Sequence, residues 1–276
     1  VASRAAQPRT PGTYVRRLIV VGYLFLLIVW PVSLVVVKTF DGGLGNIQGA
    51  LSDPEVVFAL QLTVYVAVWA VAINTVFGVG ISLLLVRYEF PGRRVLSALI
   101  DLPLSVSPVV VGLALLLAYA GTDGLFGPTL ESAGLQVAFA PAGIILATAF
   151  VSLPLVIREL VPVLQEIGTE QEQAAKSLGA GPVQTFRRIT LPSIKWALVY
   201  GVVLSLARSL GEFGAVKVIS GNIAQQTQTA TLVVEEKYQD FEQGTAYATS
   251  FLLALIAVAA LVVVTILRPK DDTDGD

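Results

Sequence analysis

Arg208 and Glu212 stand four residues apart in a run, 196–216, that carries no other charge. In an α-helix this spacing puts both side chains on one face, with Ser205 and Ser209 close beside them. A guanidinium presents a planar fork of donors that suits an oxyanion, and a carboxylate nearby holds or balances it. The alternative is a pair that neutralises itself and joins its helix to neighbouring ones. This second reading weighs more, because a neutralised pair attracts an anion weakly. Ionisable groups in such a run cost about 3 kcal/mol each on insertion, so they face a partner or a watery path. Gly201, Gly211, Gly214 and Gly221 mark the same stretch for close approach or bending. Cys and His are absent, which excludes disulfides, zinc sites, haem ligation and nucleophiles that need an imidazole base.

A second constellation precedes this run. Residues from Glu166 onward are good helix formers, and Gly179 or Gly181 suits the end of such a helix. Pro182 is placed to open a second helix, followed by Arg187, Arg188 and then Leu191-Pro192. The pattern predicts a helix–turn–helix lying at a membrane surface. Ala174, Ala175 and Gly179 carry almost no side chain, so their helix can enter a narrow groove closely. The plain alternative is a surface helix that only links two spans.

The elements that must position these residues follow from composition. The chain has 276 residues, 55% hydrophobic and 14% charged, with a mean hydropathy of +0.76. A soluble domain carries about 25% charged residues, so a soluble enzyme and a disordered chain are both excluded. Crossing a bilayer core takes about 20 apolar residues as a helix. Runs 18–37, 56–86, 102–122, 132–157 and 243–267 are uncharged and meet that length, and 196–216 is the sixth candidate. Run 56–86 exceeds one straight crossing, so it tilts or projects. The runs lack the alternation of barrel strands, and the expected fold is an all-α integral membrane protein of six transmembrane helices.

Fourteen Lys and Arg fall in one set of alternate connections and three in the other. By the positive-inside rule both termini are expected in the cytoplasm. The organisation is then a tail over 1–17, a six-helix transmembrane domain over 18–267 with an internal segment 158–195, and a tail over 268–276. The first run is read as an uncleaved helix: it is longer than a signal core, and no small-x-small site follows Val37. The acidic last residues, Asp271, Asp272, Asp274 and Asp276, read as a solvated tail. Pro103 and Pro108 are read as helix initiators, with broken helix ends aimed at an ion as the alternative. Asn74 and Thr75 read as interhelical hydrogen-bonding groups.

Gln173-Ala174-Ala175-x-x-x-Gly179, a nine-residue spacer and then Ile189-Thr190-Leu191-Pro192 resembles the permease signature of ABC importers. The family pattern starts with Glu where Gln173 stands, with Glu172 just before it. The residues from Ala207 to Ala215 resemble a segment of sulfate and molybdate permeases. Those from Asp101 to Val110 and from Val216 to Asn222 are closer to the sulfate/thiosulfate branch, nearest its W-type subunits. The resemblance implies a type I importer permease (MetI-like) in the bacterial plasma membrane. It also implies a coupling helix docked on a cytoplasmic ATPase, through Glu172, Gln173, Ala174, Ala175, Gly179, Leu191 and Pro192. The implied partners are an ATPase subunit dimer, a second sulfate permease and an extracytoplasmic sulfate-binding protein that meets loops 121–140 and 221–242, with no nucleic acid. No Gly-Lys dipeptide and hence no phosphate loop occurs, so ATP and Mg would be bound by the partner and this chain holds no cofactor. Ser205, Arg208, Ser209 and Glu212 are the expected translocation path. A molybdate permease is the close alternative, and a secondary anion transporter using the Arg208–Glu212 pair is the rival from another class.

Overall fold

The computed structural model describes residues 11–121 and 124–266. Arg4, Arg9, Arg268, Lys270 and the terminal aspartates lie outside them. In lipid every backbone polar group must be satisfied within its own segment, and the described residues are correspondingly helical almost throughout. Among them five helices are long and apolar enough to cross a membrane, or up to six if a bent helix pair counts as one span.

The first crossing consists of α1 (Pro11–Leu24), a π-helical turn (Phe25–Val29) and α2 (Trp30–Thr39). It leaves its flanks exposed and packs at its far end, where Thr39 Oγ1 donates to the Tyr247 carbonyl at 3.0 Å and Phe40 meets Phe251 edge to face. A short α3 (Gly45–Ser52) leads into α4 (Pro54–Arg87), whose 34 residues span about 51 Å. That exceeds a hydrocarbon core of about 30 Å, so α4 projects. Its ends are built for the helix dipole. Asp53 accepts from the Glu55 amide at 2.9 Å, Pro54 and Glu55 occupy the first turn, and Arg87 is the last residue.

The next apolar run is not one straight helix. It divides into α5 (Arg93–Ser105) and α6 (Pro108–Tyr119), bent by 116°. At about 20 and 18 Å neither half spans the core alone. Pro108 initiates α6 as expected, whereas Pro103 lies inside α5, so this part of the expected third span is corrected to a broken pair. After α7 (Gly127–Ser132) comes α8 (Pro141–Glu166), the most enclosed long helix. Small residues let its neighbours approach: a side chain at Gly78 of α4 would meet Val156 at 2.7 Å.

Glu166 ends α8 rather than opening the next helix, which is α9 (Glu170–Ser177). Then follow α10 (Pro182–Thr185), a π-helical turn (Phe186–Thr190) and α11 (Leu191–Leu210). The fifth span also stops short of its expected end. A break at 211–213 separates α11 from α12 (Gly214–Ile219). The chain closes with α13 (Ala230–Gln239) and α14 (Gln243–Ile266), which packs against α2 and α13. The central core is α4 with α8 and α11, where Val156, Leu160, Leu164 and Ile194 are fully buried.

Candidate functional site

Three clusters hold the residues singled out by sequence. The first is the α9–α10 hairpin. Glu170 and Glu172 lie in the first turn of α9 and Lys176 in the last, matching the dipole. The helix stops because Gly179 takes φ +86°, donating to the Lys176 carbonyl while Ala180 donates to that of Ala175, both at 3.0 Å. Nothing lies within 4 Å of a side chain added at Gly179, so within this chain backbone conformation is what demands glycine. Gln173 and Ala174 are exposed, Ala175 is buried, and Leu191 and Pro192 open α11 behind them. Leu178 at the tip is 89% exposed and Val183 on α10 is 71% exposed. Sequence reasoning passed over both; an apolar residue inside a polar surface hairpin was the signal.

Glu172 turns the other way. Its carboxylate receives Arg87 Nε at 3.1 and 3.3 Å, Arg87 Nη2 at 3.2 Å and Thr190 Oγ1 at 2.9 Å. Arg87 Nη1 also donates to the Leu164 carbonyl at 2.9 Å. The pair is largely enclosed, at 11% and 14% side-chain exposure. It forms one wall of a cleft of about 350 Å³ that Gln173, Lys176 and Pro182 also line.

The second cluster lies where α11 breaks. Arg208 Nη2 and Glu212 Oε2 form an ion pair at 2.8 Å. Glu212 is not on the face of α11, as its spacing predicts, but in the turn beyond the helix end. There its Oε1 accepts the Ala215 amide at 3.0 Å in the first turn of α12, and its carbonyl accepts Thr231 Oγ1 at 2.9 Å. The pair therefore ties α11, α12 and α13 together. Arg208 keeps 36% of its side chain exposed while Glu212 keeps 2%.

Ser205 and Ser209 belong to a different network. Asn74 Nδ2 donates to Ser152 Oγ at 2.8 Å and to Ser205 Oγ at 3.2 Å, and Ser152 lies 3.3 Å from Ser209 Oγ. All four side chains are buried, joining α4, α8 and α11. Asn74 thus makes the expected interhelical bonds, whereas Thr75 donates to Val71 of its own helix. Beside the break, α6 and α12 touch without intervening side chains: a Cβ at Gly112 would lie 2.5 Å from the Ala215 carbonyl, and one at Gly214 3.0 Å from Pro108. The two broken crossings meet here. Among the described residues no group of acidic side chains is arranged to hold a metal ion.

At the other end of α4, Lys237 reaches Asp53 at 3.3 Å, Glu55 at 3.4 Å and Glu242 at 3.3 Å. Partial burial lowers its pKa, but hydrogen bonds to Glu242 and Asp53 and their charges outweigh this and raise it above the ordinary lysine value.

A family model for the binding-protein-dependent transport system inner membrane component matches residues 74–270. Over 248 residues the chain is 46% identical to the "Sulfate transport system permease protein CysW" of Synechococcus elongatus, covering 90% of this chain and 86% of that protein. To the "Sulfate transport system permease protein CysT" of Salmonella typhimurium it is 36% identical over 248 residues, covering 90% and 89%. Its fold is similar to a bacterial ABC transporter involved in the import of the acidic polysaccharide alginate, with a TM-score of 0.77 at 15% identity, covering 92% of this chain and 93% of that one. The crossings, the exposed hairpin and these matches agree: the chain belongs to the inner membrane components of binding-protein-dependent ABC transport systems.

Proposed function

We propose that this chain is one of two related permease subunits of an ATP-driven importer of sulfate, with thiosulfate as a second substrate, in the cell membrane. The observation that carries the reading is the α9–α10 hairpin. It is a small-faced helix with exposed Leu178 and Val183 at its tip, in a chain that has no phosphate loop of its own. Sulfate comes from the relatives, and their two types fit a pair of similar permeases. In this reading the hairpin is on the cytoplasmic side, consistent with the arginine-rich connections, and docks on an ATPase dimer. Loops 121–140 and 221–242 face the extracytoplasmic binding protein. The breaks at 106–107 and 211–213 are the joints that change between inward-open and outward-open forms, and the Arg208–Glu212 pair holds the second one shut.

The complete assembly in proteoliposomes tests this. With enclosed ATP and external binding protein, labelled sulfate is expected to accumulate, thiosulfate to compete and molybdate to compete weakly. A cysteine at Leu178, in a chain that has none, is expected to cross-link to the ATPase subunit. Sulfate uptake by this chain alone on an ion gradient would overturn the reading, and preferential uptake of molybdate would correct the substrate.

A further inference from the structure

A helix that receives force passes it on only through what holds it rigidly. Glycines set off α9 at both ends, since it enters through Gly168 at φ +62° and leaves through Gly179 at φ +86°, with Gly181 just beyond. A side chain at any of the three would meet nothing within 4 Å, so no packing from the rest of the chain presses on these glycines. The described residues of α9 are also mostly exposed, with Ala175 alone buried. What fixes its orientation is the Glu172 carboxylate.

That one group gathers three membrane helices. Arg87 is the last residue of α4, bound to Glu172 through Nε and Nη2. The same guanidinium takes the Leu164 carbonyl in the last turn of α8. Thr190, at the junction with α11, completes the set by donating to Glu172 Oε1. A planar guanidinium that binds a carboxylate through two nitrogens and a carbonyl through the third resists rotation in a way that a lone lysine or an apolar contact does not. A displacement of α9 must therefore carry the ends of α4, α8 and α11 with it, or break the cluster.

We infer that the Arg87–Glu172–Thr190 cluster is the mechanical link through which force on α9 reaches the transmembrane helices, with Glu172 a positioning residue that faces its own chain rather than the ATPase. The inference rests on the reading of α9–α10 as the ATPase-docking hairpin, and it deepens that reading by separating docking, at Leu178 and Val183, from transmission, at Glu172.

The test uses the complete reconstituted transporter. Glu172→Gln and Arg87→Gln are expected to copurify with the ATPase in normal ratio and to keep basal ATP hydrolysis. The sulfate taken up per ATP should fall about tenfold, the loss of roughly one charge-assisted bond from the coupled step. The reversed pair, Arg87→Glu with Glu172→Arg, should recover it to within about threefold, because charge complementarity returns. A purely structural role would lower the melting temperature and subunit ratio without changing sulfate per ATP. Unchanged sulfate per ATP in both single variants overturns the inference, and so does loss of ATPase binding in Glu172→Gln, which would place that residue in the docking surface. If the single variants do not insert, Thr190→Val removes one bond and leaves the ion pair; wild-type sulfate per ATP there also overturns it. A missing cross-link at Leu178 with these results unchanged would instead remove Leu178 from the docking surface and leave the link at Glu172 standing.

Discussion

Arg208 and Glu212 differ in their access to water, and that difference makes their removal unequal. Glu212 is enclosed, so Arg208→Ala strands a carboxylate beside the backbone of α12. Breaking a buried pair from that side costs about 3 kcal/mol. Glu212→Gln leaves an acceptor for the Ala215 amide and frees an arginine already 36% exposed, so its cost should be near 1 kcal/mol. Thermal unfolding of the solubilised chain should rank Arg208→Ala well below Glu212→Gln, with the double variant close to Glu212→Gln. The reverse order would mean the arginine, not the carboxylate, is the trapped charge. The spacing of the two residues was legible in sequence. The helix end between them was not, because Gly211 at that end is also compatible with a continuing span.

Where elements meet, glycines divide into those that touch and those that do not. Gly112 lets α6 approach the backbone of α12, so Gly112→Val must separate the two broken crossings at their junction. Overpacking of this kind costs about 1–3 kcal/mol, and because it acts at the joint it should abolish sulfate uptake while the protein still inserts. Gly80, on the exposed flank of α4, has nothing within 4 Å of an added Cβ. Gly80→Ala should therefore be neutral or stabilising by up to about 1 kcal/mol, since it removes only the flexibility of a mid-helix glycine. Paired melting curves and uptake rates check both. Wild-type uptake in Gly112→Val would show that the α6–α12 contact does not move as a unit. The sequence marked Gly201, Gly211 and Gly214 alike, yet an added Cβ would come within 3.0 Å of a neighbour at Gly201 and Gly214 and no closer than 3.9 Å at Gly211.

Across the whole molecule, both ends of α4 are tied by ion pairs, with the cation on α4 at one end and on α13 at the other. Arg87 gathers α8, α9 and α11 at one end, and Lys237 gathers α3–α4 and α14 onto α13 at the other. Lys237→Met leaves Asp53, Glu55 and Glu242 facing one another, at a cost of about 2 kcal/mol for the charged hydrogen bonds lost. The native lysine has a raised pKa, so its stabilisation is complete below its unfolded value near 10.5 and fades as pH rises through the higher folded value. The gap in melting temperature between wild type and Lys237→Met should therefore stay constant from pH 7 to 9, which lies below that value, and narrow only above it. A gap that closes between pH 7 and 9 would mean that the lysine is not held by these carboxylates.

The long apolar runs and their helical state were legible in sequence alone, because run length and charge are local and lipid enforces helix on any long apolar stretch. The same holds for the α9–α10 hairpin, whose Gly179 and Pro182 act on their immediate neighbours. Only the tertiary structure decided that Glu172 turns inward onto Arg87, that Ser205 joins Asn74 and Ser209 joins Ser152 rather than Arg208, and that two apolar runs are broken and meet at Gly112 and Gly214. Those pairings link residues 85 and 131 positions apart. Their partners are set by how whole helices pack, and no local pattern along the chain encodes that geometry.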